Sequence, residues 1–446
     1  MKKRIGISLG LVIILSWVII TQYPKLYIAT GYGAKCLASG VFLAGREPQD
    51  VIDQDLNFSI LRYTTSKIDY EKKTVSTSYW GHFKQTALYR EGLGCCLINE
   101  ISADSLLKEK ISLPKTNAVA LWKIPWPDGD KVKDTLFSEM NKARLDSTIN
   151  SAFDDEKRTA AVVVVYKGEL VGEKYWKEKG IAEDTRLWGW SMNKSIVNAL
   201  LGILVRKGTI DVNASAPVTE WLSDNRRNIT ITDLMHMSSG LKWNENYGTA
   251  SNATNMLFRQ ADSYKSSISA PFGKNPDMIW MYSSGTANIL SGIIRNTIKN
   301  DQEYYSFPYK ELFYKTGMYS MVLEADGAGT FVGASYGYAT ARDWARFGLL
   351  YYRNGVWNGD SILPKGWTDF TRFPAKASGG KYGALFWLNE AHQLKDAPVD
   401  TYSCQGHRGQ RIFIIPSRNL VVVRLGFSQE KFNQNEFLKG ILSSFK

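Results

Sequence analysis

After the basic opening MKKR, twenty residues from Ile5 to Pro24 carry no charge. A run of that length can cross a bilayer as one helix, with its basic flank on the cytoplasmic side. A cleaved signal peptide shares this layout but wants small residues just past the apolar core. The stretch TQYPKLY offers none. Residues 1–24 therefore read as a transmembrane anchor or signal peptide, the retained anchor fitting better. Either way the body is expected to be exported: extracytoplasmic (periplasmic) and membrane-anchored, or secreted if the segment is cleaved.

Residues 25–140 read as an N-terminal extension and linker, ending in the proline-studded LWKIPWPDGDKV from Leu121 to Val132. Beyond it, LFSEMNKARLDSTINSAF has helical spacing, and RTAAVVVVYKGELVGEKYW reads as a β-hairpin around a Lys-Gly turn. The middle of the chain is helical in period. YGALFWLN, GQRIFIIP and NLVVVRLG then read as strands before a last helix near NEFLKGILSSF. Strands at both ends of the main region predict an α+β fold. One antiparallel sheet would be built from 141–190 and 338–446 and flanked by helices, with a mainly helical insert over 191–337.

Composition narrows the function. The 55 Lys+Arg and 43 Asp+Glu leave a net charge of +12, but beyond the first four residues the basic side chains are scattered. That gives no nucleic-acid footprint; the surplus suits an anionic envelope at most. The four histidines (His82, His236, His392, His407) and four cysteines show no zinc spacing, so neither metal nor cofactor is expected. His82 and His236 read as structural. In an exported protein, Cys36 could bridge Cys95 or Cys96, whereas adjacent Cys95 and Cys96 rarely pair.

Candidate chemistry begins in RLWGWSMNKSIVNALLGILVRKG, where Lys194 follows Ser191 by three residues. On a helix the two share a face. A buried lysine beside a serine can take its proton, and a helix N-terminus suits a developing oxyanion. The pattern alone is weak, since a capping serine with a lysine snorkelling from the first turn has the same spelling.

Downstream, MYSSGTANILSGII sets Tyr282 and Ser284 before a helix, and CQGHRGQRIFIIP sets His407-Arg408-Gly409 before a strand. Ser-x-x-Lys, then Tyr-x-Ser, then His-x-Gly before a late strand resembles the order in penicillin-recognising serine hydrolases. ITITDLMHMSSGL and YATARDWARFGLLYYRNGVWNG strengthen the likeness. Over about 150–446 the chain resembles the class C β-lactamase-like superfamily, especially its esterase and 6-aminohexanoate-dimer hydrolase branches.

That resemblance implies a serine hydrolase acting on a small ester or amide. Ser191 would be the nucleophile, with Lys194 and Tyr282 sharing proton transfer. The backbone N–H groups of Ser191 and Gln410 would bind the oxyanion, and His407, Gly409 and Ser284 would hold substrate. Serine at 284 and histidine at 407, where β-lactamases usually have asparagine and lysine, argue against efficient penicillin hydrolysis. Lys315-Thr316-Gly317 spells the third motif literally but no strand follows it. Two other readings remain. An α/β-hydrolase would use GWSMN as its elbow, His407 as base and Asp343 or Asp400 as acid, but Asn193 is too large for the sharp turn. A catalytically inactive, membrane-tethered peptidoglycan- or peptide-binding protein would keep the fold without the chemistry.

Overall fold

The computed structural model describes residues 23–108, 111–114, 120–428 and 430–446, so the apolar run Ile5–Ile20 lies outside the described residues. The central sheet has six strands in the spatial order Trp387–Leu388, Tyr402–Gly406, Gln410–Ile415, Leu420–Gly426, Thr159–Tyr166, Glu169–Tyr175. Every neighbouring pair is antiparallel. Register pairs Val422 with Val164 and Val423 with Val163, joining the two ends of the chain at the middle of the sheet.

The strand TAAVVVVY is buried at every position because both faces of the sheet are covered. Val163, Val165, Ile412, Ile414, Val421 and Val423 face the main core. Val162, Val164, Phe413, Ile415 and Val422 face Leu145 and Ile149 of helix Lys142–Ser151 and Phe437, Leu438 and Ile441 of helix Gln434–Leu442. Each such side chain contributes roughly 1.5–3 kcal/mol. Helices Asn193–Arg206, Asn252–Phe258 and Ser284–Ile298 lie between the two sheet-forming parts of the chain. The fold is the β-lactamase/transpeptidase-like α+β arrangement, and its antiparallel sheet excludes the α/β-hydrolase reading. Asp343 instead pairs with Arg346, and Asp400 accepts from Ser417.

The N-terminal region is bound into this body. Helix Tyr23–Leu43 is long and apolar enough to cross a membrane, yet 72% of its span is buried within the protein. Ala34, Leu37 and Ala38 pack into a cluster that also holds Trp188, Trp190 and Tyr338. Inside it, Lys35 Nζ donates to Glu324 Oε2 at 2.5 Å, and Ser39 Oγ donates to Glu324 Oε1 at 2.8 Å. A four-stranded antiparallel sheet, Thr65–Asp69, Thr74–Tyr79, His82–Arg90 and Gly94–Leu97, follows. The expected linker is a packed loop: Arg346 donates to the carbonyls of Pro127 and Gly129. The disulfide expectation is corrected. Cys36, Cys95, Cys96 and Cys404 are buried free thiols, with Cys36 and Cys95 packed as apolar side chains in one cluster.

Candidate active site

Ser191 sits in a short 3-10 turn, Trp190–Met192, that runs into helix Asn193–Arg206. Trp190 precedes it at φ +52, a left-handed backbone uncommon for a bulky residue. Stacking holds this turn: the Trp190 ring lies 3.6 Å from that of Trp188 and 5.5 Å from that of Tyr32. Strand Tyr402–Gly406 comes up against the same turn. A Cβ on Gly406 would fall 2.2 Å from the Gly189 carbonyl oxygen, so only glycine allows the approach.

One helical turn on, Lys194 is 1% exposed. Its Nζ donates to Ser191 Oγ at 2.9 Å, Ser284 Oγ at 3.1 Å and the Ala334 carbonyl at 3.0 Å. Ser284 Oγ in turn donates to Glu245 Oε1 at 2.5 Å. The Ser284 hydroxyl proton is thus directed at Glu245, which leaves Ser191 Oγ as the hydroxyl beside Nζ with no carboxylate partner of its own. Tyr282 stands just before the Ser283-capped helix Ser284–Ile298, its ring centroid 4.7 Å from Lys194 Nζ. The ring, not the hydroxyl, faces the amine. Tyr282 lines the cavity.

Ser191, Tyr282 and His407 line one cavity of about 400 Å³, while Lys194 and Ser284 lie beneath its floor. His407 opens on it between Trp190, edge-on at 5.2 Å, and Tyr247, stacked at 6.4 Å. Desolvation by these walls, then the charge of Arg408, holds the imidazole below its usual range. Arg408 itself points away. Its Nη1 donates to the Gln54 carbonyl, and its guanidinium lies over the Phe58 ring.

Gln410 and Gly409 do not line the cavity. The chain reverses at His407–Gly409, where Arg408 takes φ +62, so the residues after it run back along the next strand. Gln410 closes a ring with Gly426 instead, donating to its carbonyl at 2.5 Å and accepting from its N–H at 3.0 Å. Gln405 and Gly406, before the turn, take that place beside His407. Lys315-Thr316-Gly317 is the end of a 3-10 turn, with Lys315 paired to Glu311.

Two cavity groups, Tyr247 and Arg411, and the Glu245 carboxylate bonded to Tyr247 went unread in the sequence. Tyr247 donates to Glu245 Oε1 at 2.9 Å and lies 3.1 Å from Ser284 Oγ. Tyr247 as a whole is 47% exposed, but burial of its hydroxyl, with Glu245 beside it, pushes its pKa well above the usual tyrosine range. Glu245 also accepts from the Ser284 N–H and from Trp243 Nε1. Arg411 lines the cavity with its guanidinium on the Gly406 carbonyl, and burial lowers its pKa to about 10. The loop LKWNENYGTA has no periodicity, and its only signal is that it follows the HMSSGL segment directly.

The sheet, the buried lysine beside a serine at a helix start and the flanking tyrosine define the β-lactamase-type class of hydrolase fold. The Beta-lactamase family profile matches residues 142–435, and the chain belongs to that family. It is 22% identical over 320 residues to the 6-aminohexanoate-dimer hydrolase of Paenarthrobacter ureafaciens, covering 63% of this chain and 77% of that one. A family VIII carboxylesterase superposes with a TM-score of 0.54 at 14% identity, covering 70% of this chain and 98% of that one. A penicillin-binding protein homolog from Caulobacter crescentus gives 0.55 at 13% identity, over 68% and 97%.

Proposed function

We propose that the protein is an exported serine hydrolase, tethered by its N-terminal segment, that cleaves a small ester or amide through an acyl-enzyme on Ser191. The observation that carries this is the 2.9 Å contact of a buried Lys194 Nζ with Ser191 Oγ, which opens on the cavity. Ser191 Oγ attacks the substrate carbonyl carbon and its proton passes to Lys194 or Tyr282. The bond to the leaving alcohol or amine breaks and that group departs with the proton. Water then attacks the acyl-serine, releasing the acid and restoring the hydroxyl. The Ser191 N–H and the backbone of the Gln405–Gly406 segment, which abuts the same turn, would stabilise the oxyanion.

Histidine at 407, held neutral by burial, supports esters or short linear amides over β-lactams, because it offers no fixed cation to a penicillin carboxylate. Ser284, expected to hold substrate, lies beneath the floor and bonds Lys194 and Glu245 instead. A fluorophosphonate probe mapped by mass spectrometry tests the reading. Labelling at Ser191 that disappears in Ser191→Ala is expected, and an unreactive Ser191 would sink it. For a short p-nitrophenyl ester, kcat/KM should exceed that for nitrocefin at least about a hundredfold. Protease added to cells with a permeabilised outer layer should digest the body, and protection would overturn the export reading.

A further inference from the structure

The cavity above Ser191 is walled from two sources. Most of its polar groups come from the family region, Ser191, Tyr247, Tyr282, Gln405, His407 and Arg411 among them, with Lys25 and Ser59 added from the N-terminal region. Much of its apolar wall comes from outside the matched family region: Ile28, Ala29 and Tyr32 of helix Tyr23–Leu43, then Phe58 and Leu61. Trp190 joins the two parts, stacked on Tyr32 and edge-on to His407. A volume of about 400 Å³ falls in the roughly 300–1,000 Å³ range of sites for drug-sized ligands, far more than an acetyl group needs.

The apolar wall also continues to the surface. Ile60 lines the cavity yet is 42% exposed, and its carbonyl accepts from Tyr79 Oη, beside the exposed ring of Trp80. Tyr23, exposed as well, packs edge-on against Phe83 just past that turn. The apolar run Ile5–Ile20 stops three residues before Tyr23, at most about 10 Å of chain.

From this wall and rim we infer that the cavity takes an aliphatic chain, making the substrate an amphiphilic ester or amide whose acyl part extends along Ile28, Ala29, Leu61 and Ile60. The inference rests on the reading of Ser191 as nucleophile.

The test is a series of p-nitrophenyl acetate, butyrate, octanoate and dodecanoate, below their aggregation concentrations, with the full chain. From acetate to octanoate kcat/KM is expected to rise at least about thirtyfold, well within the limit of roughly fourfold for each buried methylene. Ile60→Asp, at an exposed position, and Ala29→Phe, which fills the cavity, should each lower the octanoate-to-acetate ratio about tenfold or more. A flat or falling series, with acetate hydrolysis that vanishes in Ser191→Ala, overturns the inference and leaves the reaction standing. A rising series indifferent to both variants also overturns it, since the chain then lies elsewhere. No Ser191-dependent hydrolysis of any ester overturns the reading of the site itself.

Discussion

Gly406 and Gly189 meet backbone to backbone: a side chain on Gly406 would begin 2.2 Å from the Gly189 carbonyl oxygen. This approach sets the distance between the strand that ends at His407 and the turn that carries Ser191. Gly406→Ala must push the two apart, and misplacing reacting groups by about an ångström can cost on the order of a hundredfold. Ester turnover in Gly406→Ala should fall by about that factor while thermal unfolding shifts only a few degrees. Unchanged turnover would show that the contact does not position the site.

Because Ser191, Lys194 and Tyr282 would act as a unit, Ser191→Ala, Lys194→Ala and Tyr282→Phe should each lose about a thousandfold or more in kcat, and their losses should not add. Hydrolysis of p-nitrophenyl butyrate by each single variant and by the double variant checks this. Wild-type rates in Ser191→Ala would end the assignment.

The buried pair Lys35–Glu324 joins the N-terminal helix to the hydrolase body, both side chains 0% exposed. Removing one partner leaves an uncompensated buried charge, which costs about 3–5 kcal/mol. Lys35→Met should therefore lower the denaturation midpoint sharply, and Lys35→Met with Glu324→Gln should recover part of the loss. Urea unfolding of wild type, single and double variants measures it. A harmless Lys35→Met would mean the helix docks without the ion pair.

His236 supplies a pH dependence of stability. Burial, only partly offset by Asp277, lowers its pKa, and its Nε2 has no hydrogen-bond partner. The ring stacks on Phe370. Because the folded pKa lies below the unfolded value of about 6.5, the unfolded state binds more protons as the pH drops through that value. Stability from the neutral ring is present above about pH 6.5 and is lost as the pH falls towards the folded pKa. Thermal unfolding from pH 7.5 to 5 should drop less in His236→Gln than in wild type. Equal slopes would assign the acid loss to other groups.

Much of this was legible in one dimension. The β-branched run TAAVVVVY and the strand GQRIFIIP are apolar at nearly every position because they lie between two layers, and such runs declare themselves without an alignment. The spacing of Ser191 and Lys194 puts both on one face of a helix, a pattern that gains its meaning from the motifs downstream. Tyr282 and His407 are singled out by their order relative to that pair, and both line the cavity with Ser191.

What only tertiary structure decided depends on contacts distant in sequence. Whether the chain continues past His407-Arg408-Gly409 or reverses there depends on a left-handed Arg408, so Gln410, expected at the site, turns away from the cavity that Gln405 and Gly406 line. Glu245 and Tyr247 sit in a loop without period, and only folding sets them against Ser284. Cys36 and Cys95 read as a bridge because sequence cannot distinguish two thiols in one apolar cluster from two thiols bonded. Helix Tyr23–Leu43 has the same apolar composition whether it faces lipid or protein. Its burial against Trp188 and Trp190, and with it a wall of the cavity, is a property of the packed molecule.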